Sequence, residues 1–404
     1  MSDPQPPPAD KLPWNVRLLG MTSLLNDIAT EMAFPVIPLL LQSLAPGQKW
    51  LVGLVEGVAD TVAALLKLFS GNWSDRLGNR RGFVLFGYGL AAVARPFIGA
   101  ATAVWQVVAV RTIDSVGKGL RASPRDALIA DSTRENQRGR AFGFHQAMDH
   151  LGAAIGPALA ALFLWQFPGH LRELFFVTAI PGVFIMALLL WGLENPPLKT
   201  LAGKELRLTL RPFDARFKRY LLCVLLFTLG NSSDMILLQR AGELYKQAAI
   251  PGFSVEAFVP LLWCVFHVAK SVGNLICGRL VDRRGPLGIL FAGWILYAAV
   301  YLGFSLADSA WAICGLFAVY AVHYSLSEPA EKTLAVQLAG KERKGLALGW
   351  FNFTIGIFTL PANLLTGWLY QEYGPFAAFA TCAGFAMVAT ALLSTVRPAA
   401  VDVK

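Results

Sequence analysis

The stretch Gly71-Asn72-Trp73-Ser74-Asp75-Arg76-Leu77-Gly78 returns later in the chain as Gly278-Arg279-Leu280-Val281-Asp282-Arg283-Arg284-Gly285, so the pattern G-x-x-x-D-R-x-G occurs twice. Each copy marks the point where a long apolar segment gives way to a basic turn. The copies lie 207 residues apart (71 to 278), about half of the 404 residues. Further matches keep nearly the same period. Arg138, Gly139, Ala141 and Gly143 are answered 206 residues on by Lys344, Gly345, Ala347 and Gly349. Asn26-Asp27 has an echo in Asn231-Ser232-Ser233-Asp234, and Ser123-Pro124-Arg125-Asp126-Ala127 a looser one in Glu328-Pro329-Ala330-Glu331-Lys332. The chain reads as two repeats of one membrane-spanning unit, a construction on which transporters are built.

Composition fixes the solvent. Hydrophobic residues make up 55% and charged residues 15%, and the mean hydropathy is +0.52, whereas soluble domains hold about 45–50% apolar and about 25% charged residues. Apolar stretches of the length a bilayer needs, about 20 residues, fall at 17–41, 50–70, 83–103, 104–124, 141–165 and 174–194. They resume at 219–242, 257–277, 287–306, 310–330, 345–368 and 376–396. The expectation is an all-α membrane protein of twelve transmembrane helices, arranged as two six-helix bundles related by pseudo-twofold symmetry: 1–194, a linker 195–218, and 219–404. No short apolar core with a cleavage site precedes the first span, since Pro4 and the run Pro6 to Pro8 occupy that region.

Lys and Arg are retained on the cytoplasmic side of short loops, and here they cluster after the even-numbered spans: Arg76, Arg80 and Arg81; Arg134, Arg138 and Arg140; Lys199 to Arg219; Arg283 and Arg284; Lys341, Arg343 and Lys344. The opposite loops hold little beyond Lys49, Arg172 and Lys246. Both termini are therefore expected to face the cytoplasm, in a bacterial cytoplasmic (inner) membrane, with the chain a monomer. The net charge of +9 follows from this asymmetry and from contact with anionic headgroups, which leaves no case for nucleic-acid binding. Five cysteines sit singly in apolar segments without C-x-x-C spacing, so neither a disulfide framework nor a metal site is expected. No phosphate-binding G-x-x-x-x-G-K-[ST] loop, metal-binding H-E-x-x-H or nucleophile G-x-S-x-G occurs. ATP-driven pumping, cofactor chemistry and enzyme activity are disfavoured together.

Over its whole length the chain resembles the major facilitator superfamily of secondary transporters. The segment from Gly71 through Asp75, Arg76 and Gly78 to Arg80 and Arg81 is similar to that superfamily's signature between helices two and three. The resemblance implies two bundles around a central cavity that opens alternately to each side. It also implies a conformational latch formed by Gly71, Asp75, Arg76, Gly78 and Arg81 with their counterparts Gly278, Asp282, Arg283 and Gly285. Gly152-Ala153-Ala154-Ile155-Gly156-Pro157 is similar to the G-x-x-x-G-P element of the drug:proton antiporter branch; Gly152 and Gly156 make a groove for close helix approach and Pro157 bends the helix.

Ionisable groups inside a bilayer are costly and normally face the bundle interior. Arg111, Asp114, Lys118, Arg121 and Arg125 recur at intervals of three and four, along one stripe of the fourth span. Arg111 has the place of the superfamily's helix-four coupling arginine, without the glutamine-glycine pair that follows it there. Asp27 and Glu31 are four apart on the first span, and two neighbouring carboxylates in a partly desolvated site tend to share a proton. His145 and Asp149 are four apart on the fifth, and a histidine bonded to a carboxylate exchanges protons near neutrality. Asp27, Glu31, Arg111, Asp114, His145 and Asp149 are the candidates for proton coupling, with structural ion pairing as the competing role. Arg95, Lys118, Asn231, Asp234, Trp263, His267, Lys270, Tyr320, Tyr324 and Glu328 are the candidates for contact with substrate, with helix packing as theirs.

Cations and anions are mixed in this interior. That suits a small anionic or zwitterionic organic solute, exported by proton antiport, with uptake by proton symport as the rival. An intramembrane enzyme using His145, Asp149 and Ser115 or Ser123 gives the duplication no role. A membrane receptor gives the deep charges none.

Overall fold

The computed structural model describes residues 12–134, 137–194, 209–249, 251–339 and 344–396. Most of the expected linker, 195–208, and the cations Lys199, Lys204, Arg207, Lys341 and Arg343 lie outside them. All regular structure among the described residues is helical. The first half comprises α1 (Trp14–Leu44), α2 (Leu51–Arg76), α3 (Arg80–Ala94, continued by a 3-10 turn Arg95–Ile98), α4 (Val104–Asp131), α5 (Arg138–Gln166) and α6 (Leu171–Gly192). The second half comprises α7 (Ala215–Gln247), α8 (Val255–Arg284), α9 (Pro286–Leu306), α10 (Ala310–Ala339), α11 (344–373) and α12 (375–393).

Eight helical stretches among the described residues are long and apolar enough to cross a membrane, and one of them, Leu346–Leu393, is two spans in succession. The joint is Gly374, whose φ of 83° suits glycine, and Pro375 starts the next helix. The remaining spans, α2, α3 and α4, are less apolar or shorter for a physical reason. Glu56, Asp60 and Lys67 interrupt α2, and Arg111, Asp114, Lys118 and Arg121 interrupt α4, while α3 has only 15 residues before its 3-10 turn. The charges that interrupt α2 and α4 belong to the polar interior of the first half.

Local chemistry sets the boundaries. Asn79 caps α3, accepting from the Gly82 amide at 2.8 Å, and Asp214 caps α7, accepting from the Phe217 amide at 2.9 Å. Gly285 ends α8 with φ 79° and is followed by Pro286, the first residue of α9. The first helix of each half is broken near mid-depth. In α1 a 3-10 turn spans Phe34–Val36 around Pro35; in α7 the helix stops at Leu229 and restarts at Asp234. Ser233 caps the restart, and Tyr297 of α9 donates to the Gly230 carbonyl at 2.6 Å. Discontinuous helices of this kind free backbone groups inside a membrane protein only where they line its interior.

For orientation, the end carrying the signature turns is the basic end, and the end carrying Lys49 and Gly374 is the far end. At the far end α2 and α11 touch closely: a Cβ added at Gly53 would lie 2.3 Å from the Asn363 carbonyl oxygen, and one at Gly356 would lie 2.2 Å from Ala64 Cβ. Towards the basic end they diverge, and a Cβ at Gly349 would meet only Leu68, at 4.0 Å. Gly139 and Gly143 at the basic end of α5 face open space. The hydrogen bonds described between the halves fit this splay. The Lys49 amide donates to Gln371 at 2.7 Å, Thr61 to the Gly356 carbonyl at 2.8 Å, and the Gly169 amide to Glu256 at 3.0 Å. Lys49 Nζ reaches Glu243 at 3.0 Å, and Tyr370 donates to that carboxylate at 2.7 Å. The halves are closed at the far end and parted at the basic end.

Candidate functional site

The polar interior of the first half is one connected chain of charges. Arg111 donates to Glu56 Oε1 through Nε at 3.0 Å and Nη2 at 2.6 Å, and to Asp114 Oδ2 through Nη1 at 2.9 Å. Arg95 donates to Asp114 Oδ1 at 3.0 Å and approaches Asn26 Oδ1 at 3.5 Å. Arg121 reaches the same Asn26 oxygen at 3.3 Å and lies 4.5 Å over the Tyr88 ring. Asn26 in turn donates to Asp27 at 3.0 Å. Arg95, Arg111, Asp114, Arg121 and Glu56 are all less than a tenth exposed. Buried charges persist only when each is paired, and here three guanidiniums face two carboxylates, with the Asp27 branch completing the set. Arg95, a candidate substrate contact from the sequence, stands inside this network and not on an open wall.

Asp27 and Glu31 are held against α5 by the G-x-x-x-G-P element. A Cβ on Gly152 would lie 2.6 Å from the Leu24 carbonyl and 2.9 Å from Asp27 Cβ; one on Gly156 would lie 2.6 Å from the Ile28 carbonyl and 3.0 Å from Glu31 Cβ. The two glycines therefore set how closely the two carboxylates approach α5, where His145 Nδ1 and Asp149 Oδ2 are 3.4 Å apart. Asp27 and Asp149 are within Coulombic reach of each other. The element packs α5 against α1, both in the first half. Gly152→Leu is expected to destabilise the protein by about 1–3 kcal/mol, the range for overpacking, because the obstacle is backbone. Gly143→Ala meets nothing within 4 Å and should not lower the melting temperature, since alanine in a helix interior is favoured over glycine by about 0.5–1 kcal/mol; thermal unfolding of both purified variants checks the pair.

Glu31 also crosses to the second half. Trp263 of α8 donates its indole N–H to Glu31 Oε2 at 2.8 Å, and His267 Nε2 lies 3.7 Å from the same oxygen. Phe34 stacks on Trp263 at 5.3 Å. Trp263 is 3% exposed, so it presents its polar edge to the site and its ring to the core. Further along, Tyr320 donates to Asp234 at 2.8 Å and Tyr324 at 3.2 Å, while Lys270 sits 4.4 Å over the Tyr324 ring and 3.2 Å from Glu328. Asn231 lies in the break of α7 and accepts from Tyr297 at 3.4 Å. Tyr320 is fully buried and touches the interior through its hydroxyl alone. The second half is built on stacked aromatics where the first is built on ion pairs: Phe227 on Trp294 at 4.4 Å, Tyr297 on Tyr301 at 4.1 Å.

The first signature turn is a local clasp in this conformation. Arg80 donates to Asp75 at 2.8 Å and also bonds Asp131 at the end of α4; Arg81 donates to the Leu190 carbonyl of α6 at 3.1 Å. Gly71 packs on Ser123 of α4, and Gly78 has φ 61°. Arg76 is exposed. In the second copy Arg283 is exposed and Gly285 ends its helix; the side-chain surroundings of Gly278 and Asp282 lie outside the described residues.

Sequence reasoning passed over Glu56, Asp60 and Lys67 on α2. The signal was present, since Glu56 and Asp60 are four apart inside the apolar span 50–70, the spacing that singled out Asp27 and Glu31. Asp60 lies within Coulombic reach of Arg111 and of Asp234 across the interface. His150 of α5 lies within Coulombic reach of Lys270 and Glu328. Lys118 is exposed, unlike its stripe-mates Arg111, Asp114 and Arg121. Among the described residues no three His, Cys, Asp or Glu side chains gather as a metal ion would require.

Comparison with known proteins agrees with this architecture. An uncharacterized MFS-type transporter of Methanocaldococcus jannaschii is 29% identical over 358 residues, 88% of each chain. Multidrug resistance protein MdtG of Salmonella arizonae is 25% identical over 381 residues, 92% of each. Among solved structures, a bacterial homologue of the human lysosomal transporter Spinster, inward-facing and occupied, superimposes with a TM-score of 0.76 at 15% identity over 94% of this chain and 96% of that one. A POT family transporter in complex with 5-aminolevulinic acid gives a TM-score of 0.77 at 13% identity over 95% and 96%. Similarity that distant shows the fold alone. The family model described as Major Facilitator Superfamily matches residues 19–266 and 250–403, both halves of the duplication, and the chain belongs to that superfamily of membrane transporters.

Proposed function

We propose that this transporter carries a small anionic or zwitterionic organic solute out of a bacterial cell across the cytoplasmic membrane, as a monomer, in exchange for protons. With both termini cytoplasmic, the basic end faces inward and the conformation described is open to the cytoplasm. One observation carries the coupling: Glu31, on the first half, holds the indole N–H of Trp263 on the second half at 2.8 Å. A titratable group that fastens one half to the other links proton binding to the relative position of the halves, which is what exchange by alternating access requires. Asp27, next to Asn26, and Asp149, next to His145, extend proton-exchanging chemistry from that contact towards the basic end. Arg111, Asp114 and Arg95 hold the frame. Lys118, Lys270 and Asp234 provide side chains for the solute, and the signature turns act as the latch when the basic ends meet. The resemblance to multidrug resistance proteins supports export.

Purified protein in liposomes tests the reading. With the basic end facing the lumen, an inwardly directed proton gradient is expected to drive loss of a preloaded acidic solute, and collapsing the gradient should stop it. Accumulation that follows an inwardly directed proton gradient would instead establish symport. Substituting Asp27 by Asn should reduce the flux; unchanged flux would remove Asp27 from the coupling, and binding without any flux in the unaltered protein would speak for a receptor.

A further inference from the structure

At the parted basic end the interior becomes cationic. Lys67 of α2 and Lys118 of α4 project from adjacent turns of tightly packed helices: a Cβ on Gly119 would lie 2.6 Å from Leu66 Cβ, and Ser123 donates to the Lys67 carbonyl at 2.7 Å. Both lysines are exposed, and among the described residues no carboxylate lies within ion-pair distance of either. Asp126, within Coulombic reach of Lys67, is held by Arg125 at 2.9 Å, and Glu31 and Glu56, within Coulombic reach of Lys118, are held by Trp263 and Arg111. Opposite, Lys332 of α10 is 58% exposed and shares Glu328 with Lys270, at 4.0 and 3.2 Å. Lys67 and Lys332 feel one another across the gap. Neighbouring Leu68 is the residue nearest Gly349 of α11, so this is the level at which the halves must meet when the basic end closes. Closure would bring Lys67 and Lys118 up to Lys332 and Lys270, which already share the Glu328 carboxylate, and like charges brought into a region of reduced dielectric oppose that motion.

We propose that Lys67, Lys118 and Lys332 form an anion site shared by the two halves, which takes a solute bearing two or more acidic groups and allows the basic end to close only when that solute is bound. This inference rests on the reading of the chain as a transporter of an acidic solute and narrows it to multiply charged oxyanions, carboxylate or phosphate. The three lysines supply charge-assisted hydrogen bonds from both sides, so binding and closure become one event. Singly charged or neutral solutes leave the repulsion in place.

Hydrogen exchange of the full-length protein in neutral phosphatidylcholine bilayers reads closure without requiring flux. Citrate or pyrophosphate is expected to slow exchange in 66–74 and 346–350 by about tenfold, the shift produced by a ligand that binds the closed form about tenfold more tightly; a neutral polyol should not. In the Lys67→Gln/Lys118→Gln variant both segments should already be protected without anion, and citrate should add nothing. The Lys67→Arg/Lys118→Arg variant keeps the charge and should respond as the unaltered protein does, which separates loss of charge from loss of folding. The proposal is overturned if neither anion changes exchange in the unaltered protein, if the glutamine variant still responds, or if only bilayers containing phosphatidic acid, and no soluble anion, produce the protection. Because binding and exchange are measured without a gradient, failure of proton-driven flux would sink the antiport reading while leaving this result standing.

Discussion

Arg111→Ala is expected to leave little folded protein. The guanidinium closes three hydrogen bonds, two to Glu56 at 3.0 and 2.6 Å and one to Asp114 at 2.9 Å, and Glu56 is 2% exposed. Removing it strands the buried Glu56 carboxylate without its hydrogen-bond donor, while Asp114 retains Arg95 at 3.0 Å. Breaking a buried ion pair from one side costs about 3–5 kcal/mol, a large part of the ~5–15 kcal/mol by which a folded protein is stable. Thermal unfolding in detergent should show the largest fall of any single substitution considered, with a low yield. Arg111→Lys keeps the charge but not the planar fork and should cost less. Arg111→Met with Glu56→Leu removes both partners and should recover much of the loss, since a well-packed apolar pair is often no less stable than the ions it replaces. An Arg111→Ala protein as stable as the original would show that the charge chain does not hold the first half together.

Why the fold was legible and much of the site was not comes down to which physical constraint acts on which residues. Bilayer thickness forces every span to a similar length, so the twelve segments were visible, and the tight basic turns forced the repeated glycines and aspartates. The helices run past the apolar segments where no such constraint applies; α4 continues to Asp131 and α10 to Ala339, beyond the expected ends at 124 and 330. Pairing is a different matter. The stripe from Arg111 to Lys118 gives a shared azimuth, yet seven residues at 1.5 Å each place Lys118 about 10 Å nearer the basic end, where the halves have parted. Periodicity reports the face of a helix and says nothing about depth relative to an opening. The break in α7 had a local cause in Gly230-Asn231-Ser232-Ser233, residues that favour caps and turns. Arg95 as the partner of Asp114 had none, because the two meet only through the packing of α3 on α4.

Glu31→Gln is expected to separate proton coupling from transport. Glutamine keeps a side-chain oxygen able to accept from the Trp263 indole, now 2.8 Å from Glu31 Oε2, so the mid-depth fastening persists, but the group no longer titrates. If protonation of Glu31 is what releases Trp263, the variant loses the effect of a pH gradient while the solute still exchanges down its own gradient. A coupling free energy of about 1–3 kcal/mol corresponds to about 5–150-fold, so gradient-driven flux in liposomes should fall by about 10–100-fold while counterflow of labelled against unlabelled solute stays within about threefold. Trp263→Phe makes the complementary change. It removes the donor, leaves the carboxylate, and should loosen the contact between α1 and α8 at every pH, lowering flux and counterflow together. His267, 3.7 Å from the same oxygen, is a further group placed to receive the proton, and His267→Gln in the Trp263→Phe background would show whether it does. Equal loss of gradient-driven flux and counterflow in Glu31→Gln would mean that Glu31 is structural, and the coupling would then have to reside in Asp27 and Asp149 on the α1–α5 seam.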